Sequence, residues 1–257
     1  QGWTGTSVQM DPSVPKSISD YYQTPNLERL AAQGMRFSNA YASAPNCSPT
    51  RAAIQTGRSP AQLQMTDVTG EDNPKTFFTG KRYRTFYTAH TQSPPVPVQR
   101  LPEPQTTIAA RIKTAHSNYV TAHFGKWHLR GGGPGMHGYD YHDGSTNNAQ
   151  GAGGDADPKR IDSVTTRAKR FMRNRVAAGD PFFMQLSHYA VHTDIQALPE
   201  TRDKYADLPP GTRHTIGDYA AMTEDLDTGV GMLLDKVDEL GISDNTYVIY
   251  VSDNGGD

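Results

Sequence analysis

The sequence contains a single cysteine, no marked excess of charge of either sign and no long hydrophobic run. With Cys47 alone, no disulfide bond can form within the chain, which leaves both reducing and extracellular compartments open. The 25 Lys and Arg residues against 27 Asp and Glu argue against a nucleic-acid-binding protein, which favours a basic surface. No run approaches the roughly 18 apolar residues of a membrane span. Strong apolar segments recur along the chain and favour a globular rather than a disordered protein, and 257 residues are enough for a sizeable core.

Glycine and proline, by contrast, are plentiful, with 24 and 18 residues, and they predict long loops. Residues 60–105 are rich in Pro, Thr and aromatic residues without a clear period, which predicts a long irregular excursion. Residues 130–158 are polar and Gly-rich, and a loop of that length in a compact domain is usually functional or mobile.

Between these loops, helical and strand patterns alternate. Helices are predicted over 24–34, 48–57, 106–116, 160–178 and 216–241, and strands over 35–42, 118–125, 181–187 and 246–251. Thr24 and Ser48 precede prolines and are the expected N-caps of the first two helices. The alternation predicts an α/β fold with a largely parallel sheet and helices on both faces.

Polar clusters follow three of the predicted strands, where α/β proteins bind ligands. They are GKWHLR at 125–130, SHYAVHTD at 187–194 and SDNGGD at 252–257. A fourth candidate is Cys47, at the start of a predicted helix, where free N–H groups and the helix dipole favour an anion. Arg51 lies one turn later and suits a multi-oxygen anion. A nucleophile beside an anion is one interpretation, and an inert buried cysteine near a surface arginine is the other.

The string CSPTRAAIQTGR, residues 47–58, resembles the signature of the type I, formylglycine-dependent sulfatases of the alkaline phosphatase superfamily. GKWHL at 125–129 and SDNGG at 252–256 follow in the order typical of that family, so the resemblance covers the whole chain. It implies an alkaline-phosphatase-like α/β fold with a large, mostly parallel mixed sheet. It also implies that residues 1–257 form a catalytic domain truncated at both ends, without its first strand and its C-terminal part.

The resemblance further implies a role for each motif residue. Cys47 would be oxidised to formylglycine by a formylglycine-generating enzyme, and the hydrate of this aldehyde would attack sulfur. Lys126 and His128 alternate on an extended segment and can face one site. The resemblance assigns Lys126 and Arg51 to the sulfate and His128 to a hydroxyl of the hydrate, while a solvated lysine and a capping histidine are the alternative. Arg130 stands where the family usually has glycine.

The histidines of the 187–194 cluster offer two candidates for the leaving oxygen. Members of the family often carry a proline-flanked histidine that contacts the sulfate and the leaving group. Val191 and Asp194 replace those prolines here, and His188 competes with His192 for the role. We favour His192 as the proton donor to the leaving alcohol, with a structural histidine at a strand end as the alternative.

Asp253 and Asn254 follow the last predicted strand and offer hard oxygen ligands that suit Ca²⁺ or Mg²⁺. An Asp-Asn-Gly sequence is also a common turn. The resemblance makes both residues metal ligands, for Ca²⁺ first and Mg²⁺ second, together with formylglycine at Cys47 and two aspartates that would precede Gln1. The His, Asp and Asn residues of 137–155 suit a metal or a sugar, but a solvated loop at the rim of the pocket is the preferred interpretation.

The predicted function is therefore hydrolysis of a sulfuric ester, with a sulfated glycan or aryl sulfate as substrate and a periplasmic or secreted location. The glycan and the location come from the resemblance alone. Two alternatives stay open: a phosphonate or phosphodiester hydrolase of the same superfamily, and a non-catalytic glycan-binding relative.

Overall fold

The computed structural model describes residues 2–68, 98–101 and 105–255. The helices are α1 (Pro25–Gln33), α2 (Cys47–Thr56), α3 (Pro60–Leu63), α4 (Ile108–Ala115), α5 (Ile161–Ala178), α6 (Pro199–Asp207) and α7 (Gly217–Glu239). The strands are β1 (Val120–Gly125), β2 (Tyr141–His142) and β3 (Phe182–Ser187). Short 3₁₀ helices span Pro134–His137, Asn148–Gly151, Pro158–Arg160 and Ser243–Asn245. Apart from α3, most of the predicted excursion over 60–105 lies outside the described residues.

The three strands form a parallel sheet in the order β2–β1–β3. The register of β1 against β3 runs from Val120 opposite Phe182 to Gly125 opposite Ser187. Parallel pairing requires a crossover, and α5 supplies it between β1 and β3. The predicted α/β class is confirmed, and the part of the sheet within the described ranges is wholly parallel rather than mixed.

Helices cover both faces of this sheet, as predicted. Ala122 and Phe124 of β1 pack on α5 through Val164, Ala168 and Phe171. On the opposite face, α2 and α4 pack around a second apolar cluster, which contains Ala52, Ala109, Trp127, Leu129 and Tyr139. Because successive strand residues point to opposite faces, the alternation along β1 and β3 separates the two clusters.

The longest helix, α7, fixes the position of α1. Its buried Asp227 accepts hydrogen bonds from the main-chain N–H groups of Asn26 and Leu27 at 2.9 and 2.8 Å. Thr24 is the N-cap residue of α1, as predicted, but its hydroxyl accepts from Ser7 N and makes no capping hydrogen bond to the helix. Nowhere in the described ranges does a helix combine the length and the apolar character that crossing a membrane requires.

Two of the four predicted strands are wrong. Residues 35–42 form turns and irregular structure, and residues 246–251 are not paired with another described strand. Tyr247 and Ile249 are 98% and 84% exposed, so one side of the second segment is uncovered within the described residues. Apolar alternation indicates strand propensity, but a strand forms only where a neighbouring backbone completes its hydrogen bonds.

Candidate active site

The N-terminus of α2 meets the segment that follows β1. Cys47 is the first residue of the helix, and its Sγ lies 3.4 Å from Nδ1 of His128. Ser48, the predicted N-cap, lies inside the helix and donates its hydroxyl to the carbonyl oxygen of His128 at 2.9 Å. That prediction is wrong because the N-cap is Asn46, two residues earlier. Both contacts are buried, so they fix the nucleophile candidate against His128.

The change of direction after β1 depends on Gly125. Its φ of 85° lies in the left-handed region, and an added Cβ would lie 2.1 Å from Ser187 O. Lys126 N then donates to the same oxygen at 2.8 Å, and His128 adopts a φ of 57°. Lys126 is buried, and its ammonium group lies within electrostatic range of the Cys47 side chain. The expectation that Lys126 and His128 face one place agrees with this geometry.

Arg51 is part of the same cluster. Its Nη1 donates to the carbonyl oxygen of Lys126 at 2.6 Å. Its Nε lies 2.8 Å from Oδ2 of Asp253, which is an ion-pair distance, although Nε–H makes no hydrogen bond. Arg51 is 8% exposed, so the interpretation as a surface arginine near an inert cysteine does not describe this site. The guanidinium group links α2, the 125–128 segment and the predicted metal ligand.

Burial and neighbouring positive charge control the ionisation of the cluster. Burial, helped by the charge of Arg51, lowers the pKa of Lys126 to about 8, against the opposing effect of Cys47 and Asp253. Burial, together with the charges of Lys126 and Arg51, lowers the pKa of His128 to about 3. The imidazole of His128 is therefore neutral at pH 7, and one ring nitrogen can accept a hydrogen bond.

The two competing histidines occupy different environments. His188 Nε2 lies 3.1 Å from the Thr165 hydroxyl of α5, and a Cβ on Gly229 of α7 would lie 3.4 Å from the same nitrogen. His192 lies in a half-buried loop, where its Nδ1 donates to Thr193 O at 2.6 Å and leaves Nε2 for proton exchange. The charge of His192 also contributes to the low pKa of His128, so it lies within electrostatic range of the site.

Residues 137–155 contain two site-supporting residues that sequence reasoning missed. Asp143 accepts from Gly125 N at 2.8 Å and from Arg167 Nη2 at 2.9 Å. Thr146 hydrogen bonds to three residues of the 125–128 segment. The strand β2 places this loop beside β1. The sequence did not reveal β2, because a two-residue strand is too short to show a periodic pattern. The loop is bound to the site rather than merely solvated.

Asp253 and Asn254 are the described residues that fit the predicted metal. Asp253 reaches Arg51, and the Asn254 side-chain nitrogen donates to Gly255 O at 2.7 Å, which leaves the amide oxygen as its ligand atom. Carboxylate and amide oxygens are the donors that Ca²⁺ and Mg²⁺ prefer. No group of three or more His, Cys, Asp or Glu suited to a metal occurs in the described ranges. The donors are of the right kind, and they supply part of the six or more that such a cation takes.

The sequence model of the sulfatase family matches residues 15–257, and the chain therefore belongs to the sulfatase family. It is 29% identical over 289 residues to the N-acetylgalactosamine-6-sulfatase of Canis lupus familiaris, covering 99% of this chain and 48% of that protein. It is 28% identical over 324 residues to a sulfatase of Formosa agariphila, covering 99% and 56%. The chain thus spans about half the length of the curated relatives it matches.

Solved structures show the same fold. The crystal structure of Ps i-CgsB in complex with k-i-k-neocarrahexaose matches with a TM-score of 0.67 and 24% sequence identity, covering 95% of this chain and 54% of that one. At this identity the likeness concerns the fold alone. The alkaline-phosphatase-like α/β fold that the sequence motifs imply is confirmed.

Proposed function

We propose that the protein to which this chain belongs is a sulfuric ester hydrolase that removes sulfate from a sulfated carbohydrate. The observation that supports it most is the contact of Cys47 Sγ with His128 Nδ1 at 3.4 Å, with Arg51 and Lys126 buried beside it. Membership of the sulfatase family supports the reaction. The carbohydrate is supported by the relatives named N-acetylgalactosamine-6-sulfatase.

Cys47 is the proposed site of formylglycine, produced by a formylglycine-generating enzyme. When formed, this group supplies a geminal diol, one hydroxyl of which attacks the sulfur atom. The Sγ atom of Cys47 stands in for such a hydroxyl in the structure. At 3.4 Å, the neutral imidazole of His128 is placed to hold or accept a proton from a hydroxyl at that position.

Arg51 and Lys126 are the proposed sulfate ligands. Their two cationic groups lie in a buried site, where positive charge stabilises developing negative charge more strongly than it does in water. The bond from Arg51 Nη1 to Lys126 O keeps the guanidinium group in place before substrate binds. His192, in its imidazolium form, would donate a proton from Nε2 to the leaving alcohol oxygen, while its Nδ1–H stays hydrogen bonded to Thr193 O.

Asp253 and Asn254 would hold Ca²⁺, with Mg²⁺ as the alternative, through one carboxylate and one amide oxygen. When bound, the cation offsets negative charge on the sulfate oxygens. We also propose a periplasmic or secreted location, and that residues 1–257 are part of a catalytic domain continued outside them. The half-length match to the curated relatives supports the continuation.

The experiment is an assay of the full-length protein co-produced with a formylglycine-generating enzyme. We expect release of sulfate from an aryl sulfate and from sulfated oligosaccharides, and an aldehyde in the peptide that contains residue 47, detected by mass spectrometry. Faster turnover of an aryl phosphodiester than of the aryl sulfate would contradict the proposal and identify a phosphodiesterase. Binding of sulfated glycan without sulfate release, in protein whose aldehyde is confirmed, would replace it with a glycan-binding function.

A further inference from the structure

We propose that Thr146 is a positioning residue that holds the 125–128 segment so that Lys126 and His128 face Cys47. The contacts of Thr146 are direct observations, whereas the catalytic consequence rests on the proposed function. Thr146 lies outside the motifs at 47–58, 125–129 and 252–256, and nothing in its sequence context signals a role.

The side chain and the main chain of Thr146 both bind this segment. The hydroxyl group donates to Gly125 O at 2.6 Å and accepts from Trp127 N at 2.9 Å, and its carbonyl oxygen accepts from His128 N at 2.8 Å. Thr146 is 8% exposed, so water competes little for these bonds. The three bonds attach to the residues on either side of Lys126 and to His128 itself.

The 125–128 segment needs such support because its backbone is not that of a strand. Pairing with β3 ends at Gly125, and both Gly125 and His128 have φ values in the left-handed region, 85° and 57°. A histidine at positive φ is uncommon and is maintained by its surroundings. Trp127, between the two catalytic candidates, is also buried, and its Nε1 donates to Arg130 O at 2.8 Å. Anchors on both sides of Lys126 therefore determine where the two side chains point.

Thr146 is itself held rigidly. Its main-chain N–H donates to Gly144 O at 2.9 Å. Asp143, three residues earlier, binds Gly125 N and Arg167. The loop is thus attached to β1 and to α5, and a displacement of Thr146 would carry the 125–128 segment with it.

The test compares Thr146→Val, which keeps the shape and removes the hydroxyl, with Thr146→Ser, which keeps the hydroxyl. In the full-length enzyme we expect Thr146→Val to lower kcat/KM for an aryl sulfate by about 10- to 100-fold, as for other residues that orient catalytic groups. The loss should fall mainly on kcat, because the misplaced groups act in the transition state. Thr146→Ser should stay within about threefold of wild type. Thr114→Val, at an exposed hydroxyl on α4, is the matched control.

A second measurement does not depend on turnover. Hydrogen exchange of the Trp127 and His128 amides should be faster in Thr146→Val and unchanged in Thr146→Ser. The affinity for inorganic sulfate, measured by calorimetry, should likewise fall in Thr146→Val and not in Thr146→Ser. If the wild-type enzyme released no sulfate from any sulfate ester, the proposed function would fail, and these two measurements would still decide the positioning role.

Three results would overturn the proposal. One is Thr146→Val with wild-type kcat and sulfate affinity despite faster amide exchange. Another is Thr146→Ser as impaired as Thr146→Val, since the hydroxyl would then not be the acting group. The third is that Thr146→Val and Thr146→Ala both fail to fold while Thr146→Ser is unchanged, because Thr146 would then serve stability alone.

Discussion

Cys47 and His128 lie 81 residues apart in the chain, yet their Sγ and Nδ1 atoms are separated by 3.4 Å. The contact joins the start of α2 to the end of β1, and Ser48 and Arg51 repeat the connection with bonds to the carbonyl oxygens of His128 and Lys126. Any reactive group at the end of the Cys47 side chain therefore meets a neutral imidazole and two cations.

Replacement of Cys47 by alanine removes the atom from which the proposed nucleophile is made. We expect kcat for an aryl sulfate to fall by at least about 10³-fold, the usual scale for loss of a covalent nucleophile. The melting temperature should change by only a few degrees, because one small side-chain atom is lost. Steady-state kinetics and a melting curve on the same preparation check this. Activity retained in Cys47→Ala would contradict the assignment of the nucleophile.

Arg51→Lys keeps the charge but loses the planar donor set. The bond to Lys126 O and the ion pair with Asp253 both depend on the guanidinium group. We expect kcat/KM to fall by about 100-fold or more, the scale seen when a group that stabilises developing charge is removed. Arg29→Lys is the matched control, because Arg29 pairs with Asp235 and Asp238 away from the site. If Arg51→Lys lowered kcat/KM no more than Arg29→Lys does, Arg51 would contribute only its positive charge.

Asp253→Asn tests the metal proposal. The substitution keeps the shape and one oxygen but removes the negative charge, so we expect weaker binding of Ca²⁺ and a smaller rise in melting temperature when CaCl₂ is added. Bound metal, measured by elemental analysis of the full-length protein, should fall in parallel. Asp244→Asn, an exposed aspartate in the 3₁₀ helix Ser243–Asn245, is the control. Unchanged metal content in Asp253→Asn would remove this residue from the proposed ligand set.

The helices and buried strands were predictable because their patterns repeat. α5 and α7 show apolar residues at steps of three and four, and β1 and β3 lie where short apolar runs predict strands. The polar helix α6 was missed because it buries only Tyr205. The segment at 246–251 was predicted wrongly because strand formation depends on a partner backbone, which local sequence does not specify.

The site was predictable to the extent that its residues belong to compact motifs. Cys47, Arg51, Lys126 and His128 lie together because one helix start and one strand end bring them there. Thr146 and Asp143 were not predictable, since they act through backbone hydrogen bonds and their residue types are ordinary for a turn. His188 and His192 could be separated only by the packing of the loop that carries them.

His192→Gln distinguishes a proton donor from a structural histidine. Proton donation matters most when the leaving alcohol is a weak acid, so we expect a large loss of kcat/KM for a sugar sulfate and a small one for 4-nitrophenyl sulfate. His116→Gln, at the exposed end of α4, should affect both substrates equally little. A plot of log kcat/KM against the pKa of the leaving alcohol should steepen in His192→Gln. An equal loss for all leaving groups would assign His192 to folding or to sulfate binding.

His188 should make the folded state sensitive to mild acid. Burial lowers its pKa from 6.5 to about 4, so between these values the unfolded chain binds a proton that the folded chain excludes. Stability is therefore lost as pH falls from 6.5 towards 4, by roughly 3 kcal/mol at most, at 1.36 kcal/mol per pKa unit.

His188→Gln keeps a hydrogen-bonding partner for Thr165 and does not titrate in this range. We expect the free energy of unfolding to fall less in the variant than in the wild type between pH 7 and pH 4, so the difference between the two proteins changes with pH. His142→Gln, at an exposed histidine of β2, is the control substitution. Denaturant titrations at several pH values measure the difference, and the contributions of His123 and His128 cancel in it because both proteins share them. Parallel pH curves for His188→Gln and wild type would show that His188 is already protonated, or accessible to water, in the folded state.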